Sequence, residues 1–213
     1  MNNLFVLFIM TAFCLACSTQ KSGTHNGWIS LFNGKTLNGW KAGQNPETFT
    51  ADSGMIIVHG KTAHLFYVGD SINNEFKNFH FKAQVKTTPG SNSGIYFHTK
   101  YQGRGWPEVG YEVQVNNSQS DWRRTGSLYG FADVREQHVK DNEWYTEEII
   151  VSGKNVEVKL NGKTVVNYTE PEDFLAAGRK DKRRIAAGTF ALQGHDPNSR
   201  VYYKDILVKK LPD

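Results

Sequence analysis

The sequence predicts an all-β protein whose mature part is one two-sheet antiparallel β-sandwich. Three observations carry that prediction. Short segments of alternating apolar and polar residues recur from Trp28 onward, separated by Gly, Asn, Pro and Asp. Asn161-Gly162 joins two of these segments with the residue pair that a two-residue hairpin turn favours. No stretch keeps apolar residues at sustained helical spacing.

Taken in order, strands are expected at Met55–His59, Leu65–Val68, Phe79–Lys86, Gly94–Lys100, Gly110–Val115, Trp144–Ser152, Asn155–Leu160, Lys163–Tyr168, Gly188–Gln193 and Val201–Lys209. The clearest is Phe79–Lys86, where Phe79, Phe81, Ala83 and Val85 alternate with His80, Lys82, Gln84 and Lys86. A period of two is that of a strand buried on one side. Val156, Val158 and Leu160 alternate with polar partners, and Lys163–Tyr168 runs back after the turn. One helical turn is expected over Pro171–Ala177, with Pro171 at its start. Without an internal repeat or a low-complexity linker, one domain over residues 27–213 is the simplest account.

The N-terminus has a different composition. Residues 1–20 contain no charged side chain, and Leu4–Phe13 is almost wholly apolar. Ten such residues are too few for a bilayer, which needs ~20, but suit the core of a secretory signal. Ala16-Cys17 after it resembles a lipoprotein processing site. The expectation is a signal over residues 1–16, a lipid on Cys17, a tether over 17–26, and attachment to a bacterial cell envelope through that lipid. Cys14 would leave with the signal, so no thiol remains for a disulfide. The remaining ~195 residues suffice to bury one core.

The net charge of +4 is dispersed. The densest basic run, Arg179-Lys180-Asp181-Lys182-Arg183-Arg184, has no aromatic residues within it and reads as a solvated loop. Nucleic acid, which needs basic grooves with stacking rings, is disfavoured as a partner.

Alternation also selects the residues that leave the core. Burial of Ile95, Phe97 and Thr99 turns Tyr96 and His98 to the other face. Burial of Tyr111, Val113 and Val115 displays Glu112 and Gln114, and burial of Phe190 and Leu192 displays Gln193 and His195. Three strands could therefore project one polar, acid–base row. An ordinary wet sheet face would look the same. Two loops rich in Trp and Arg flank the Glu112 strand and supply Trp106, Trp122 and Arg124 as candidate sugar contacts. His98, Glu112 and His195 are chemically able to bind a divalent metal, although none share helical metal spacing.

At these residues the chain resembles the 3-keto-disaccharide hydrolase domain family. The resemblance rests on Trp28–Lys35 with Leu37–Trp40, on Asn92–Tyr96, on Gly110–Val115 and on Thr125–Gly130, which adds Tyr129 to the candidates. It continues through Trp144, Asn161-Gly162, Ala191–His195 and Lys204–Ile206. It implies a concanavalin-A-like jelly roll, export by bacteria, and hydrolysis of disaccharides oxidised to a ketone at C3.

The residues limit which chemistry fits. A retaining glycosidase needs two carboxyl groups ~5–5.5 Å apart. Glu112-Val113-Gln114-Val115-Asn116-Asn117 offers one, with Glu108 or Asp196 as outside sources of a second. A 3-ketosugar needs only a base for the acidic C2 proton, a donor to the enolate oxygen and an acid for the leaving group. Glu112 and His195 are the candidates for base and acid in either order, with Tyr96, Gln114, Gln193 or Arg124 as donors. A carbohydrate-binding module without catalysis and a conventional glycosidase are the competing expectations.

Overall fold

The computed structural model describes residues 26–69, 74–172 and 182–213. Cys17, the apolar N-terminal stretch and most of Pro171–Ala177 lie outside them. All ten expected strands are present, together with three short early ones. The elements are β1 (Trp28–Ser30), β2 (Trp40–Ala42), β3 (Phe49–Asp52), β4 (Met55–Val58), β5 (Ala63–Tyr67), β6 (Phe79–Thr87), β7 (Ser93–Thr99), β8 (Tyr111–Val115), β9 (Tyr145–Ser152), β10 (Asn155–Leu160), β11 (Lys163–Thr169), β12 (Thr189–Gly194) and β13 (Val201–Lys210). Strands β1, β2 and β3 span only three or four residues each, too few for a period of two to register in sequence. Among the described residues no helix is long and apolar enough to cross a membrane.

The strands form two antiparallel sheets. The larger runs β11-β10-β9-β6-β13-β4-β3, with β1 on β13, and the smaller runs β2-β5-β12-β7-β8. Their facing sides enclose one core of Phe79, Phe81, Ile95, Phe97, Tyr111, Val113, Ile149, Phe190, Leu192 and Tyr203, among others. Burial of this apolar area drives folding at roughly 25 cal/mol per Å². Asn161 and Gly162 both adopt positive φ (49° and 80°), as a type I′ turn requires.

The smaller sheet has a second buried side. Phe66, Tyr96 and Ala191 cluster apart from the main core, and His64, Gln114 and Gln193 on the same sheet are almost fully buried. This outward face is not wet. The loops on either side of β8 fold over it, and the polar row lies beneath them.

Candidate active site

Glu112 lies at the centre of that covered face. Its β8 residue pairs with Tyr96 on β7. The Tyr96 hydroxyl donates to Glu112 Oε2 at 2.9 Å, and Gln193 Nε2 donates to Oε1 at 2.6 Å. Gly94 makes this packing feasible, because a Cβ there would collide with the Glu112 carboxylate. Burial raises the Glu112 carboxyl from its ordinary 4.5 to about 7. The donors Tyr96 and Gln193 and the charge of Arg183 act against that rise, and Asp121 adds to it. Burial, together with the adjacent Glu112, holds the Tyr96 phenol well above its ordinary value.

A cavity of about 360 Å³ opens above this group. Tyr96, Trp106, Glu112, Gln114, Tyr129, Gln193 and His195 line it, joined by Asn92, Pro107, Asp121 and Arg183. Gln114 donates to Asn92 Oδ1 at 2.8 Å. Trp106 is half exposed, and its ring lies 5.9 Å from that of His195 and 5.2 Å from that of His64. His64 pairs with Gln193 in the β5–β12 ladder. Burial holds it at about 4 and hence neutral, opposed by the Gly105 backbone and aided by the nearby His195.

Three residues expected at the site lie elsewhere. His98 sits at a bulge, where the β7–β12 register slips and its φ is +54°. Its ring meets Phe79 and Phe97 and bonds Lys77 O at 2.9 Å, so it braces the sandwich instead of facing the cavity. The extra residue at this bulge breaks the strict alternation on which the expectation rested. Arg124 spends its Nη1 on Gln119 O and Asp121 O, at 2.8 and 2.6 Å, and so ties its own loop. Trp122 stays outside the cavity with the guanidinium groups of Arg123 and Arg135 over its ring.

Other residues take their place. Asp121, three residues before Arg124, is the member of that loop that reaches the cavity. Arg183 comes from the basic run read as a solvated loop, which is corrected at this position. The Tyr111 hydroxyl (2.5 Å) and the Ile185 N–H (2.8 Å) both bond Glu170 Oε2, anchoring the chain beside Arg183. Arg183 itself donates to Tyr129 O and lies over the Phe131 ring. Nothing in the local pattern of that run distinguishes Arg183 from its neighbours. Glu108, a candidate second carboxylate, instead pairs with Lys182 at the surface. Among the described residues no three His, Cys, Asp or Glu side chains group as a metal site.

Fold and site together define a jelly-roll-type β-sandwich with an acid–base cavity on the outer face of its smaller sheet. The chain belongs to the 3-keto-alpha-glucoside-1,2-lyase-like domain family, whose pattern it matches over residues 27–209. It is 26% identical to a 3-keto-disaccharide hydrolase of Bacteroides thetaiotaomicron, across 87% of this chain and 79% of that one. Among solved structures it is similar to a Parabacteroides distasonis protein provisionally described as a glycosyl hydrolase. That match has a TM-score of 0.73 and 24% identity, over 87% of this chain and 94% of the other. A carbohydrate-binding module of Bacillus subtilis matches at TM-score 0.56 and 11% identity, over 81% and 96% of the two chains. The last two likenesses concern the fold. Family membership makes the chain a glycosyl-hydrolase-like protein.

Proposed function

We propose that this domain cleaves 3-keto-disaccharides or related 3-keto-glycosides by C2 deprotonation, elimination and hydration. The observation that carries the reading is one buried carboxyl, Glu112, raised to about 7 and sharing its cavity with His195. A carboxylate of that pKa is a stronger base than an exposed one, and it is ionised in about half the molecules near neutral pH. Its task is to take the C2 proton, which the neighbouring ketone acidifies. Electrons then move from the C2–H bond into the enolate and out through the C1–O bond. The departing glycosidic oxygen takes a proton from His195, and water added across C1 and C2 gives net hydrolysis. Arg183 and Tyr96 are the cavity groups suited to stabilise the enolate oxygen by charge or by a hydrogen bond.

The test is incubation with a 3-keto-disaccharide and with its unoxidised parent in D2O. Cleavage of the ketone alone, with solvent deuterium entering C2 of the first product, is expected. Cleavage without deuterium at C2 would remove the elimination step. A second reading, conventional glycoside hydrolysis, is favoured by Asp121, a second carboxylate lining the same cavity. It requires the unoxidised parent to be cleaved. Binding of sugar without any product would leave a carbohydrate-binding module.

The reading includes an exported domain held to a bacterial envelope through lipid on Cys17, supported by the apolar Leu4–Phe13 stretch before it. Labelled palmitate should enter the wild type and not Cys17→Ser. Equal labelling would disprove the anchor.

A further inference from the structure

His195 is held from both ends. Its carbonyl accepts the Thr62 hydroxyl at 2.7 Å, and its Nδ1 lies 2.7 Å from Asp196 Oδ2. Asp196 does not line the cavity, so it reaches substrate only through the imidazole. Its carboxylate is itself well anchored. Oδ1 accepts the backbone N–H groups of Asn198 and Ser199 at 2.8 and 3.1 Å, and Oδ2 accepts the Ser199 hydroxyl at 2.9 Å. Ser199 Oγ in turn accepts the Asn92 N–H at 2.9 Å, and Asn92 Oδ1 accepts from Gln114. One hydrogen-bonded chain thus runs from the turn after β12 into the polar row of β7 and β8. Burial pushes the Asp196 carboxyl up, but bonds from His195, Ser199 and Asn198 outweigh it and leave the group below its ordinary value.

We propose that Asp196 is a positioning residue for His195, fixing the imidazole with its proton on Nδ1 and its lone pair on Nε2 toward the cavity. A carboxylate that already accepts three protein donors has only acceptor character to offer Nδ1, so Nδ1 must donate. The neutral ring then works through Nε2 alone, and after picking up a proton there it can deliver that proton to a leaving oxygen. A carboxylate behind the ring also stabilises the imidazolium that carries this proton. The proposal rests on the reading of His195 as an acid–base group. It assigns Asp196 a different role from that of a second catalytic carboxylate.

The test is a long-range 1H–15N NMR spectrum of the domain, with the His195 signals assigned by their loss in His195→Gln. In its neutral form, wild-type His195 should show a protonated Nδ1 and a bare Nε2. Asp196→Asn should populate the opposite tautomer and lower kcat by on the order of 10²-fold, with KM within about twofold. A residue that only braced the turn would leave the tautomer unchanged. A protonated Nε2 in the neutral wild-type ring overturns the proposal even if the variant fails to fold. So does an Asp196→Asn protein that keeps both tautomer and kcat. Full turnover by His195→Gln would instead overturn the acid–base reading of His195, and the proposal with it.

Discussion

Glu112 and Glu147 are both buried, Glu112 on the outer face of the smaller sheet and Glu147 in the core between the two sheets. Glu112 faces outward beneath the loops, with two donors on its carboxylate and a cavity above it. Glu147 on β9 faces inward, in line with Tyr145, Ile149 and Val151, and neither of its oxygens has a hydrogen-bond partner among the described residues. Burial alone holds Glu147 well above the ordinary carboxyl range, because a buried carboxylate without partners is disfavoured. Burial raises both groups, but only Glu112 has donors and a nearby cation that favour its ionised form and pull its pKa back down. The difference separates a carboxyl with donors and a cavity beside it from one enclosed in the core without a hydrogen-bond partner among the described residues.

Exchanging each glutamate for glutamine should separate the two roles most sharply. Glu112→Gln is expected to lower turnover of a 3-keto-disaccharide by on the order of 10²–10⁴-fold, the usual worth of a general base. Glu147→Gln should leave turnover within about twofold. Steady-state kinetics on both variants checks this, and comparable losses would erase the distinction.

Stability should divide them in the other direction. A carboxyl whose folded pKa is raised holds its proton in the native state above pH 4.5, where the unfolded chain releases it. Its contribution to stability is therefore full below about pH 4.5 and is lost as pH rises toward the folded pKa. For Glu112 that window closes at about 7. For Glu147, also raised by burial, stability is likewise lost as pH rises above about 4.5, with a slope of at most about 1.4 kcal/mol per pH unit. Urea unfolding between pH 5 and 8 should show the wild type losing stability faster than Glu147→Gln. Parallel curves would mean that Glu147 is ionised in the fold.

Gly94→Ala tests the packing around Glu112 without touching its chemistry. The added methyl meets the carboxylate, so a loss of about 1–3 kcal/mol in stability is expected from overpacking. Turnover should fall at least tenfold as Glu112 is displaced. The smallest effect compares two tryptophans. Trp106→Ala should raise KM by about tenfold through loss of an aromatic wall, whereas Trp122→Ala should leave KM unchanged. Similar KM values for both variants would remove Trp106 from the site.

Much of this site was legible in the sequence, through one physical rule. Alternation on β7, β8 and β12 separated Tyr96, Glu112, Gln114 and Gln193 from Ile95, Tyr111, Val113 and Leu192, and the structure brings those four polar residues around one cavity. The rule fails at His98, where a bulge shifts the register and turns the ring aside. It is silent on His64, because β5 is buried on both sides and shows no alternation to read. Loop residues carry no period at all, which is why Trp122 and Arg124 were expected where Asp121 and Arg183 stand.

The sequence by itself determined which residues form the polar row on one sheet face and which carboxylate lies among them. Strand periodicity and turn chemistry are local, and they act on residues a few positions apart. Only the tertiary structure decided that loops fold over the face around a cavity and that Glu112 is shifted to about 7. The same holds for Asp196 behind His195 and for the arrival of Arg183 from 71 residues along the chain. Those outcomes depend on desolvation and on contacts between distant segments. A linear pattern specifies neither, because both arise only when the loops close over the sheet.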